Sequence, residues 1–312
     1  MKLHIERNIS INKSTAEVYA IISDLGQWNT WSPWVRIEPT VKTLVTGKAQ
    51  QVGQYLTWDG EVIGSGKMTL AELTPNQIVK NKLEFLAPWK SVSNVTFTID
   101  DVGFGQTKVT WIMEGNIPFF MIFFKKMMTA FMSYDFDRGL KMLKEYAETG
   151  KVLSESVYKG QLPQSGFQVV GKKTSCTISD MPQRMQADFV HMTELMKKGE
   201  FTPPNKAGAF YNKFDIPKGV CEYTAAYFYD SGQYVKAPPD FSIQKYSEHK
   251  ALVVDHLGAY KNLGNPWSMA MAYLRGKKMK ARKDIPVYEI YITMPDGRAE
   301  KDIHTQIFMP IK

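Results

Sequence analysis

Cysteine is almost absent: only Cys176 and Cys221 occur in 312 residues. Two thiols cannot build a disulfide framework, and their spacing is not that of a zinc site. Such sparse use suits a reducing compartment, and a cytoplasmic location is expected. Histidine is scarce as well, at five residues. Neither an H-E-x-x-H nor a C-x-x-C pair occurs, so no metal and no cofactor is expected. Long apolar runs are also missing. The longest, Ile117 to Phe124 within "NIPFFMIFFKKMMTAFM", ends after eight residues at Lys125 and Lys126, whereas a spanning helix needs roughly 20. The opening Met1-Lys2-Leu3-His4-Ile5-Glu6-Arg7 has no apolar signal core. Stable membrane insertion is therefore not expected. Nucleophile and phosphate motifs are lacking too. Gly64-Ser65-Gly66 sits in a hairpin context without G-x-S-x-G, and Gly103-Phe104-Gly105 reads as a turn.

What is present describes an ordinary globular chain of two domains. Hydrophobic residues make up 44% and charged residues 22%, a soluble balance, and the length suits two cores. The net charge is +8. Its excess lies late: residues 164–312 carry 21 Lys and Arg against 15 Asp and Glu, residues 1–149 carry 16 against 15. The densest basic run, Arg275 to Lys283, has no interleaved aromatic residues and no DNA-reading motif beside it. It reads as a solvated helix end, where cations are favourable.

The break falls in polar, Gly-, Pro- and Ser-containing sequence. Residues 150–163 are expected to be a linker between domains at 1–149 and 164–312. Six of the seven tryptophans precede it. The first domain opens with a strand, "HIERNISINKS". Ser14 and Glu17 then form a capping box, and Val18, Ile21, Ile22 and Leu25 form a helical stripe. Six strand-like segments follow, punctuated by Gly, Asp and Asn as in successive hairpins. A long helix closes the domain, from about Phe120 to Glu148, with Met132, Phe136, Leu140 and Leu143 recurring at steps of three and four. The second domain repeats a strand-helix-strand-strand series twice, from "FQVVGKKTSCTI" and from "HKALVVDHLGAY". The fold class is α+β.

Both halves resemble known families. The segments "ISINKSTAEVYAIISDLGQWNTWSPW", "DGEVIGSGKMTLAELTPNQIV" and "YDFDRGLKMLKEYAE" make the first half similar to the SRPBCC superfamily of START-like lipid-transfer domains and polyketide cyclases. That resemblance implies a helix-grip fold around a hydrophobic cavity. The segments "VVDHLGAYKNLG", "DIPVYEIYITMP" and "HTQIFMPI" make the second half similar to the GyrI-like effector-binding domain. It implies a pseudo-twofold sheet and an aromatic pocket on the axis, with an acidic residue for cationic or polar ligands. The chain has no helix-turn-helix, so no direct DNA-binding motif accompanies it.

Candidate residues follow from alternation and from these resemblances. In "VYEIYIT", Tyr288, Ile290 and Ile292 point one way and Val287, Glu289 and Tyr291 the other. The more apolar set is expected to face the helices, which leaves Glu289 and Tyr291 on the opposite, ligand-facing surface. A carboxylate beside aromatic rings suits a cation, and Glu289 matches the family's acidic position. Tyr260, Trp267, Tyr227, Tyr229 and Tyr211 are its expected companions, and Phe210 is a further candidate. His256 is read as structural. In the first half Trp31, Trp34, Trp58 and Trp89 are expected at the cavity. Phe124 is expected on its wall, through a stripe of Phe120, Phe124, Met127, Phe131 and Tyr134, with Pro118 at the helix entry. The function expected first is binding or sensing of a hydrophobic or cationic aromatic small molecule. An alternative is hydrolysis of reactive electrophiles, with Glu289 as general base and Tyr260 or Tyr291 as donor. A further alternative is regulation through a protein partner such as DNA gyrase.

Overall fold

The structure is a computed structural model that describes residues 2–116, 119–294 and 297–312. The chain divides into two compact units, Met1–Leu153 and Ser154–Lys312.

The first unit begins with β1 (Lys2–Ile11), α1 (Thr15–Ile22) and the single turn α2 (Trp28–Trp31). The capping box forms: the Ser14 hydroxyl accepts from the Glu17 amide, and Glu17 Oε2 accepts from the Ser14 amide at 3.0 Å. Six strands follow as a meander: β2 (Lys42–Thr46), β3 (Tyr55–Gly60), β4 (Gly64–Thr74), β5 (Ile78–Ala87), β6 (Ser91–Gly103) and β7 (Gln106–Asn116). Their order is β1-β7-β6-β5-β4-β3-β2, so the first strand closes against the last. The long helix α3 (Lys125–Thr149) lies against this antiparallel sheet, in contact with β1. Its buried stripe carries Phe136, Leu140 and Leu143, with Met132 packed beside them, as the spacing requires.

The expected start of that helix is corrected. Phe119–Phe124 forms a 3-10 turn, and the α-helix begins only at Lys125. The tighter winding breaks the 3.6-residue phase across the junction. Phe124 is consequently 52% exposed and Met127 is exposed as well, so neither walls the interior. Pro118 lies outside the described residues.

The second unit consists of β8 (Glu155–Gln164), β9 (Phe167–Thr177), α4 (Met181–Lys197), β10 (Lys206–Asp215), β11 (Val220–Asp230), β12 (Ser242–Tyr246), β13 (His249–Leu257), α5 (Gly264–Gly276), β14 (Val287–Tyr291) and β15 (His304–Ile311). The two repeats are β9-α4-β10-β11 and β13-α5-β14-β15. They join through the antiparallel pair β10·β14 within the order β12-β9-β11-β10-β14-β15-β13-β8. Ala209 faces Glu289 in the middle of that ladder, which puts Glu289 on the pseudo-twofold axis.

The stretch expected as a linker, residues 150–163, is largely β8, which pairs with β13. Its Gly, Pro and Ser content hid a strand at a sheet edge, where such residues are tolerated. β8 leads into β9, and β12 into β13, through two residues each. The ladder pairing Phe167 with Tyr246 resumes as Gln164 with His249. The two edges of the sheet therefore meet, and the sheet curls around Phe167, Phe210, Phe228, Tyr246, Tyr288 and Phe308.

Candidate functional site

In the first unit, the sheet and α3 enclose an apolar cleft with about 660 Å³ of empty space, its open mouth included. Trp111 of β7 stacks on Phe136 of α3, ring centroids 4.1 Å apart. Close approach there depends on Gly139, where a Cβ would lie 2.7 Å from the Trp111 ring and 3.0 Å from Pro33. Trp58 lies across β4 at Gly66, where a Cβ would lie 2.3 Å from its ring. Trp34 and Trp58 line the cleft, together with Trp28, Phe85, Met132 and Phe136. Ser32 contributes the one side-chain hydroxyl among the described lining residues.

Trp31 does not line it. That ring is fully buried behind the cleft, edge-on to Trp28 and Trp111. Trp89 is 57% exposed, beyond the end of β5, because the hairpin turn carries it off the concave face. Phe124 is excluded by the helix phase. The residues missed carried a signal in part: Met132 and Phe136 were on the helical stripe, whereas nothing in the spacing distinguished Trp28 from Trp31. The indole N–H of Trp111 is buried and has no acceptor among the described residues.

In the second unit, Glu289 is fully buried. Its Oε1 accepts from the Tyr291 hydroxyl at 2.7 Å and the Tyr211 hydroxyl at 3.0 Å, and its Oε2 accepts from Trp267 Nε1 at 3.0 Å. All three donors are neutral. The Tyr291 oxygen also lies 3.2 Å from Met185 Sδ. One hydroxyl proton serves one acceptor well, and the carboxylate is the stronger, so Met185 is a packing contact. Tyr260 packs on the Tyr291 ring with centroids 5.2 Å apart, Phe189 meets it edge-on at 5.6 Å, and Tyr211 meets Trp267 edge-on at 4.9 Å. Tyr211, Tyr260, Trp267, Met185 and Phe189 are half-buried and form a layer over the covered carboxylate. Burial pushes Glu289 above the usual carboxylate range, and the Tyr291, Trp267 and Tyr211 hydrogen bonds only partly offset it. Burial and the adjacent carboxylate hold the Tyr291 hydroxyl far above its ordinary value.

The side-chain alternation along β14 is as expected, but the faces are exchanged. Glu289 and Tyr291 point toward the helices, where α5 brings Trp267 and α4 brings Met185 and Phe189. Tyr288 and Ile290 point into the curled sheet with Phe210 and Phe228. The curl makes a second, drier interior that takes the apolar set, while the carboxylate needs the donors of the helix face. Glu289, Tyr291, Tyr260, Trp267 and Tyr211 come together. Tyr227 and Tyr229 do not join them: both lie on β11 among the residues packed around Phe201, and the Tyr229 hydroxyl is bonded to the Thr202 carbonyl at 2.8 Å. Met185 and Phe189 were not anticipated, although their i,i+4 spacing on one helix face is a readable sign.

Residues 2–148 match the family described as polyketide cyclase/dehydrase and lipid transport, and residues 162–312 match the GyrI-like small molecule binding domain. The chain thus joins a polyketide cyclase-type SRPBCC domain to a GyrI-like domain. No curated protein matches it. Among solved structures it is similar to a protein of Chromobacterium violaceum, at 16% identity over 46% of this chain and 96% of that one, with a TM-score of 0.37. It is similar to EcmrR in its complex with DNA, at 16% identity over 62% and 69%, TM-score 0.41. It is also similar to the aromatase/cyclase Zhui of a Streptomyces species, at 14% identity over 47% and 94%, TM-score 0.36. Among the described residues, no helix is long and apolar enough to cross a membrane.

Proposed function

We propose that this chain is a small-molecule-binding sensor with two separate sites. The first takes an uncharged apolar ligand in the tryptophan-lined cleft, and the buried Trp111 N–H offers a donor to an oxygen on such a molecule. The second takes a cationic aromatic ligand on the layer over Glu289. The observation that carries this reading is a wholly buried carboxylate whose donors among the described residues are all neutral. In its ionised form its charge is uncompensated by those partners, so a cation docked on the rings above it gains from both the ring faces and the carboxylate and favours that form. Titrating the full chain with Nile red and with tetraphenylphosphonium tests the two-site arrangement. Each is expected to bind once per chain, and saturation with one is expected to leave the stoichiometry of the other unchanged. Competition for one site would contradict it.

A hydrolytic reading has its own support in the upward shift of Glu289 and the hydroxyls of Tyr291 and Tyr211 beside it. Glu289 would act as general base toward a water molecule and a tyrosine would donate to the substrate. Turnover of an activated ester or epoxide that survives Glu289→Gln would remove this alternative.

A further inference from the structure

The two cysteines are 45 residues apart in sequence, yet they face each other directly across the antiparallel ladder between β9 and β11. Their sulfurs are 3.6 Å apart and both are free thiols. Directly opposed antiparallel residues have Cα atoms about 4.5–5.5 Å apart, inside the disulfide range of about 4.4–6.8 Å. A bond between them therefore needs side-chain rotation and no rearrangement of the backbone.

We propose that Cys176 and Cys221 form a reversible oxidation site, a dithiol that low-molecular-weight disulfides convert to a cross-strand disulfide. The two thiols divide the work by their surroundings. Cys176 is partly exposed, whereas Cys221 is 3% exposed beneath the packing of α4. Burial and the neighbouring thiol push Cys221 up to about 12, which leaves the more exposed Cys176 as the thiol that meets the oxidant first. In the first step the Cys176 sulfur loses its proton to solvent and attacks one sulfur of oxidised glutathione. A mixed disulfide forms and one glutathione thiolate leaves. In the second step the Cys221 proton passes to solvent and its sulfur attacks Cys176 Sγ. The cross-strand bond forms and the second glutathione thiolate leaves. The oxidant is reduced to two thiols, and the protein loses two hydrogen atoms.

The test is to equilibrate the native full chain with oxidised glutathione, unfold it in an alkylating agent, and map the peptides by mass spectrometry. The expected result is loss of both alkylatable thiols, a crosslinked peptide pair containing Cys176 and Cys221, no retained glutathione, and recovery of both thiols with dithiothreitol. The Cys221→Ser variant is expected to stop at a glutathione adduct on Cys176. Two thiols still fully alkylated in the wild-type chain after exposure would overturn the proposal, as would a stable wild-type adduct on Cys176 without crosslinking. A Cys221→Ser chain that takes up no glutathione would overturn the assignment of Cys176 as the entry thiol.

Discussion

Two buried titratable residues in the second unit pull its stability in opposite directions as the pH falls. His256 is fully buried in β13, with Nδ1 3.1 Å from the Ser156 hydroxyl. Burial lowers it from 6.5 to about 4. A depressed histidine contributes stability that is present above its unfolded value and lost as pH falls through its folded value. Between pH 6.5 and about 4 the folded state should therefore lose on the order of 3 kcal/mol from this residue. Glu289 is shifted upward, so its contribution is full below the ordinary carboxylate value and lost as pH rises through the folded one. Acidification from neutrality thus adds stability at Glu289 while it removes stability at His256. Urea unfolding across this range is expected to show a shallower acid loss in His256→Gln than in the wild type, and a steeper one in Glu289→Gln. Identical pH profiles in all three chains would contradict the assignment.

Helices and strands carry the next set of expectations, beginning with the capping box. Ser14→Ala should cost about 1 kcal/mol through loss of the first-turn bond, read as a lower thermal midpoint. Phe124→Asp should change stability by less than about 0.5 kcal/mol and leave Nile red binding intact, because that ring is already 52% exposed. Met132→Trp, on the stripe that lines the cleft, should fill the empty space and abolish dye binding while the domain stays folded. The α1 cap, the strand meander and the α3 stripe were legible because each rests on local spacing. The phase of the Phe119–Phe124 turn was not legible, since apolar residues all along the segment support any register. β8 was hidden by residues that occur at edges as readily as in linkers. The faces of β14 were exchanged because alternation fixes which residues share a face, whereas curling of the whole sheet decides what covers it. Glu289, Tyr291 and Trp267 were reached through a family resemblance. Met185 and Phe189 join them only through the placement of α4.

At the scale of the molecule, the two proposed sites differ in their physics. The first lines its cleft almost wholly with apolar side chains, so under the two-site proposal ligand burial itself would be the driving force there. The second places one desolvated carboxylate on a pseudo-twofold axis under a ring layer, so charge and ring faces act together. Substitution at Glu289 should accordingly leave the first site untouched. The most direct measurement is calorimetric titration of tetraphenylphosphonium into the full chain and its Glu289→Gln variant at neutral pH, with Nile red binding followed on the same samples. The account predicts one site in the wild type, affinity weakened roughly tenfold or more in the variant, and unchanged dye binding in both. Equal affinity for the cation in the two chains, with dye binding intact, would contradict it.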